Sequence, residues 1–188
     1  MTRFTQVQSA VASLLEELGV DLKDPNYVDT PKRVAEYFLE HYRTKRAVRE
    51  EIAEIATAVF PSEYEGIVQV SGATIWSMCP HHLLPVEYKV TVAYIPSGQT
   101  IGLSKLVRIP KIICAEPALQ EDSTLRIANV LSDVLGTEDV AVVLQGRHLC
   151  MACRGVEEIN AVTSTSEMRG AFFTEGSARN EFFQLAKI

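Results

Sequence analysis

Two thiols and three imidazoles sit in two short segments, Cys79-Pro80-His81-His82 and His148-Leu149-Cys150. Cys79 and His82 have Cys-x-x-His spacing, which lets one turn present both donors to one ion. Cys150 would add a third ligand from a distant strand end. Thiolate and imidazole donors together select Zn²⁺, and three protein ligands with an open fourth position form the catalytic rather than the structural pattern. The competing reading is a pair of buried thiols beside unrelated histidines. It suits a lone Cys, but it is the poorer account of Cys-x-x-His plus His-x-Cys in one chain. Adjacent residues diverge on a turn, so His81 is not expected to share the ion with His82. His148 can share a face with Cys150 without binding. Both are read as proton donors or acceptors beside the ion. Cys114 and Cys153 lack a His at ligand spacing and read as core and bystander, and His41 reads as an ordinary helix residue.

A second group of residues suits an anion. Ser104 falls at an expected helix N-terminus, where free N–H groups and the helix dipole favour negative charge. Lys105 and Arg108 add cations about one turn apart, a pattern that by itself more often marks a solvated face. Arg154 follows Cys150 by four residues. Gln120-Glu121 reads as part of a second helix, either as a surface carboxylate or as a Glu that pairs with the amino and imino edge of guanine.

These residues need elements to hold them. Phe4–Leu18 has helical periodicity, and Gly19 stops it. Thr30 and Pro31 are expected as N-cap and first residue of a second helix, with Val34, Tyr37, Phe38 and His41 inward. A third helix is expected from about Arg46 to Val59. From Gly66 the pattern turns to strands: Ile67–Trp76, ending at Cys79, then the alternating run Tyr88–Ile95. Two helices follow, Ser104 to about Ala115 and Pro117 to Leu135. Val140–Leu144 is a third strand leading into His148, and a fourth is expected within 155–168. The order is strand, strand, helix, helix, strand, strand. This gives an α+β chain with an N-terminal helical segment, 1–60, before a catalytic segment, 61–188.

At 188 residues and 47% hydrophobic composition, the chain is long enough for one domain with a real core. A net charge of −6 argues against nucleic-acid binding, yet leaves room for an anionic small substrate held by a local cationic cluster. Met1–Gln6 has no signal-peptide core and no apolar run reaches the length of a membrane span. The expectation is a cytoplasmic protein with reduced thiols and no membrane partner.

The motifs together resemble GTP cyclohydrolase I. They are Thr30–Ala35, Ser77–Pro85, Val92–Pro96, Ile101–Arg108, His148–Met151 with Arg154–Val156, and Arg169–Phe172. Their order and spacing match that family from about Asp24 to Leu185. The resemblance implies the tunnelling fold, an antiparallel ββααββ sheet with helices on one face. In that family subunits close into a multi-subunit β-barrel, and two pentamers stack into a decamer with active sites between subunits. It further implies Zn²⁺ on Cys79, His82 and Cys150, and catalysis by His81 and His148. The triphosphate residues correspond to Arg33, Ser104, Lys105, Arg108 and Arg154, and the guanine residues to Glu121 beside Gln120. The implied reaction opens the imidazole ring of GTP at C8, releases formate and yields 7,8-dihydroneopterin triphosphate. Two alternatives stand beside it: a relative with altered guanine-nucleotide preference, and a catalytically silent paralogue that binds a pterin or purine. The chain departs from the family pattern at Pro80, where Glu is usual, at Glu36, where Lys is usual, at Val86-Glu87-Tyr88, where an aromatic-Gly stretch is usual, and at Glu116, where a basic residue is common.

Overall fold

The computed structural model describes residues 1–57 and 59–187. Packing divides the chain into two units, Met1–Arg43 and Thr44–Ile188.

The first unit is a pair of helices. α1 spans Arg3–Glu17, capped by Thr2, whose side chain accepts from the Thr5 N–H while Thr5 reciprocates toward Thr2. Gly19 follows it with φ +80, a conformation that costs a glycine little. α2 spans Thr30–His41 and begins one residue earlier than expected: Asp29 is the N-cap, with helical rather than extended backbone and no side-chain cap. Pro31 remains within the first turn, where its missing N–H has no helical acceptor to lose. Pro31 and Ala35 are buried, and Val34, Tyr37, Phe38 and His41 are half-buried. His41 stacks on Tyr37 with ring centroids 4.7 Å apart, and its Nδ1 lies 3.0 Å from the Tyr37 carbonyl oxygen, in keeping with an ordinary helix residue.

The second unit opens with α3, Lys45–Ile55, capped by Thr44. This helix ends four residues short of the expected Val59. Val59–Pro61 is instead a short strand, β1, while Ala58 lies outside the described residues. Then come β2 (Val68–Met78), β3 (Pro85–Tyr94), β4 (Gln99–Ile101), α4 (Lys105–Cys114) and α5 (Gln120–Leu135). β5 (Val140–His148), α6 (Leu149–Ala152), β6 (Thr163–Met168), α7 (Ala171–Thr174) and α8 (Gly176–Ala186) complete the chain. β1 pairs with β4, and the main sheet runs β2-β3-β5-β6, antiparallel throughout. The fold is therefore α+β, in the expected ββααββ order.

Side chains alternate across this sheet, and both faces are covered. Tyr88, Val90, Val92, Val140, Val142 and Leu144 meet Leu106, Ile109 and Ile113 of α4 and Ile127 and Leu131 of α5. Each such Leu or Ile, fully buried, contributes about 1.5–3 kcal/mol relative to exposure. Ala93, Ala141 and Val143, on the opposite face, meet Phe172 of α7 and Ala178 and Phe182 of α8. Helices thus cover part of the second face as well.

α5 starts at Gln120, three residues after the expected Pro117, because Leu119 is still extended (φ −65, ψ 148). That late start puts Gln120 and Glu121 in the first turn of α5.

Candidate metal centre and active site

The connection from β2 to β3 is a tight turn. The Leu83 N–H donates to the Cys79 carbonyl and the Cys79 N–H donates to the Leu84 carbonyl, both at 2.9 Å. Leu83 takes φ +52, which for a branched residue costs roughly 1–2 kcal/mol. The turn carries Cys79, His81 and His82. Across the sheet Val86 pairs with His148, so the start of β3 lies beside the end of β5. The chain leaves β5 directly into α6, which carries Cys150. Sheet register thus brings together two segments separated by 65 residues and more along the chain.

The Sγ atoms of Cys79 and Cys150 and a ring nitrogen of His82 all lie within 4.8 Å of one another. Cys79 Sγ is 3.7 Å from His82 Nδ1. A tetrahedral ion with bonds of about 2.3 Å to sulfur and about 2.0 Å to nitrogen separates such atoms by roughly 3.5 Å. The donor set and its spacing therefore fit a metal ion. Burial first, then the facing Cys79 thiol, push the Cys150 thiol above its ordinary value, with Arg154 pulling the other way. Two thiols that disfavour each other's charge make a site that a cation would relieve. His81 stands beside the group, with Nδ1 3.9 Å from Cys79 Sγ and its ring edge-on to His82. Arg154 Nη1 lies 3.2 Å from His82 Nε2, and Nδ1 is the nitrogen turned to Cys79.

His148 is half-buried beside the cluster. Its Nε2 lies 2.9 Å from Gln120 Oε1, and Tyr88 meets its ring edge-on at 6.1 Å. Burial lowers its pKa, and the Glu121 carboxylate opposes that. Tyr88 is fully buried, and burial raises its hydroxyl pKa, with further contributions from Cys114, Cys79 and Glu121. Sequence reasoning gave Tyr88 no place in the site. The available signal was its position, since it pairs across the strands with Gly146, two residues before His148.

The remaining expected residues are dispersed. Ser104 is the N-cap of α4 but makes no side-chain cap bond, and it is exposed. Lys105 and Arg108 lie on the first turn of α4, and neither shares a hydrogen bond or ion pair with the cluster among the described residues. Glu121 is exposed on the first turn of α5. Gln120, expected at the substrate, is only 3% exposed, and its side-chain amide is fully engaged inside the protein. Its backbone N–H, in the first turn of α5, is what remains to meet a ligand. Arg33 lies in the first unit, exposed and 3.4 Å from Asp29. Pro80 is exposed and lines a groove with Glu116, Pro117 and Val48, outside the metal cluster. Glu116 is buried and pairs with Arg126 at 2.8 Å, so its charge is answered within the fold.

The chain is similar to known proteins over most of its length. The sequence pattern described as GTP cyclohydrolase I matches residues 7–187. A protein of Chlorobium phaeovibrioides named GTP cyclohydrolase 1 is 40% identical over 181 residues, 96% of this chain and 80% of its own length. One of the same name from Chlorobaculum tepidum is 41% identical over 176 residues, covering 94% of this chain and 78% of the relative. Another from Geobacillus kaustophilus is 38% identical over 185 residues, covering 98% and 97%.

Proposed function

This chain belongs to the GTP cyclohydrolase I family, an enzyme family that opens the guanine ring of GTP by hydrolysis, and from that premise we propose that Cys79, His82 and Cys150 hold Zn²⁺ at its active centre. The observation that carries the reading is the convergence of these three donor atoms within 4.8 Å. Bound Zn²⁺ would supply a Lewis acid that lowers the pKa of a water molecule to about 7.

The chain's own residues do the rest. Glu121 accepts hydrogen bonds from the amino and imino edge of guanine, and the Gln120 backbone N–H adds a donor at the same helix start. Ser104, Lys105, Arg108 and Arg154 hold the triphosphate, and Arg33 is assigned there on the family resemblance. His148 takes a proton as water adds to C8 and gives it to the ring nitrogen as that carbon becomes tetrahedral. Burial lowers its pKa, against the opposing Glu121 carboxylate, and so favours the neutral form that can accept. His81 serves the later acid–base steps in which formate leaves and the ribose carbons close the new ring. The product is 7,8-dihydroneopterin triphosphate.

In this proposal residues 1–60, which carry the first three helices, precede the catalytic segment, 61–188, of a homodecamer. The protein is cytoplasmic. No helix among the described residues is long and apolar enough to cross a membrane.

Incubation of the zinc-loaded protein with GTP, GDP and GMP tests the reading, with formate and pterin fluorescence as readouts. Formate from GTP is the expected outcome. Glu36, at a position where the family pattern has Lys, makes the margin of GTP over GDP narrower than a cation there would. Absence of formate with all three nucleotides would overturn the proposal.

A further inference from the structure

The amide of Gln120 has one orientation available to it. Its Nε2 faces the Leu144 carbonyl at 3.0 Å, the Thr163 carbonyl at 2.9 Å and Thr165 Oγ1 at 3.1 Å. Backbone carbonyls accept and never donate, so the amide group facing them must be the NH₂. The oxygen is thereby forced toward His148 Nε2, 2.9 Å away. An amide oxygen accepts only, so His148 Nε2 must carry a proton. In the neutral ring the lone pair then sits on Nδ1.

Space for this contact has been cleared. A Cβ at Gly146 would stand 2.3 Å from Gln120 Oε1, 2.8 Å from the Tyr88 ring and 3.1 Å from His148 Nε2. Gly146 therefore has no side chain where the hydrogen bond passes. Tyr88, directly across the strands from Gly146, closes the other side of the imidazole edge-on. Thr165 Oγ1 is also 2.6 Å from Thr124 Oγ1, whose hydroxyl is within reach of the Gln120 carbonyl at 2.8 Å, so the amide is braced from α5 and β6 together.

We propose that Gln120 is a positioning residue that fixes His148 as its Nε2–H tautomer, so that Nδ1 is the nitrogen that exchanges a proton with the reacting groups. The proposal rests on the assignment of His148 to proton transfer. It gives the Gln120 side chain a role through His148 rather than on the substrate. A merely structural Gln would brace β5 against α5 without touching turnover; a substrate-binding Gln would govern KM.

The test uses the zinc-loaded enzyme, with Gln120→Met removing the acceptor at similar length. The variant is compared with wild type by metal content and thermal melting before kinetics. Gln120→Met is expected to lower kcat for formate release by roughly 100-fold, the usual scale of lost acid–base catalysis, with KM for GTP within about threefold of wild type. Combined with His148→Ala, Gln120→Met should cost nothing further, because both remove the same contribution. A raised KM with unchanged kcat, or full additivity with His148→Ala, would overturn the proposal. Nitrogen-15 spectra of histidine-labelled enzyme provide an arm independent of turnover: wild type should show His148 protonated at Nε2, and Gln120→Met should lose that preference. An Nδ1–H ring in wild type would overturn the tautomer assignment whether or not GTP is consumed. Failure of wild type to release formate would instead count against the functional reading.

Discussion

His148 and His82 are both imidazoles at the same centre, yet their neighbours give them different work. His82 turns Nδ1 toward a thiol 3.7 Å away, and ligation through Nδ1 would leave its ring proton on Nε2. His148 turns Nε2 toward an amide oxygen and is half-buried. In the proposed mechanism the first ligates and the second transfers a proton. His148→Ala is therefore expected to retain wild-type zinc content while losing formate release by roughly 100-fold or more, read by metal analysis and a formate assay on the same sample. His82→Ala should lose both. Equal zinc loss in the two variants would show that His148 ligates. The grouping of Cys79, His82 and Cys150 was legible from residue type and spacing alone, because Cys-x-x-His and His-x-Cys constrain chemistry before any fold is known. Gln120 was not, since nothing in a sequence shows that one amide will meet three acceptors from β5 and β6. Pro80, the departure closest to the ligands, lines a groove outside the cluster and so leaves the donor set intact.

At the scale of elements, the long strands and the two central helices followed from period and punctuation. β5 also held a signal that went unused. Its run Val140–Leu144 is buried without a break, as in a strand covered on both faces, and α7 and α8 provide the second cover. The third helix was overextended because Ala56, Thr57 and Val59 continue an acceptable helical composition, whereas the pairing of β1 with the distant β4 decides where the helix stops. α4 offers a stability test of its packing against β2. Its last residue, Cys114, is fully buried beneath Ser77, whose hydroxyl donates to the Cys114 carbonyl at 2.7 Å. Burial pushes the Cys114 thiol up to about 12 from an ordinary 9.0. A raised folded pKa means that the stability it contributes is complete below pH 9 and is lost as pH rises toward 12. In that window wild type should lose up to about 1.4 kcal/mol per pH unit more than Cys114→Ala, measured by urea unfolding at pH 8 and pH 10.5. Parallel losses in the two proteins would show that the folded thiol titrates as the unfolded one does, and would contradict the raised pKa.

For the whole molecule, the antiparallel β2-β3-β5-β6 sheet leaves β2 and β6 as edges, and open edges are what a barrel built from several subunits would close. Assembly is the least legible property here, since nothing in periodicity or motif spacing counts subunits. The proposed decamer predicts a light-scattering mass near ten times the 20.8 kDa chain; a monomeric mass in active enzyme would refute it. The account as a whole stands on the metal and its three donors. The most direct measurement is zinc content per subunit in reduced protein, with formate release from GTP followed on the same preparation, for wild type and Cys150→Ala. One zinc per wild-type subunit, and loss of both zinc and formate in a folded Cys150→Ala variant, is the predicted result. Formate release from folded, reduced protein that carries no metal would contradict it.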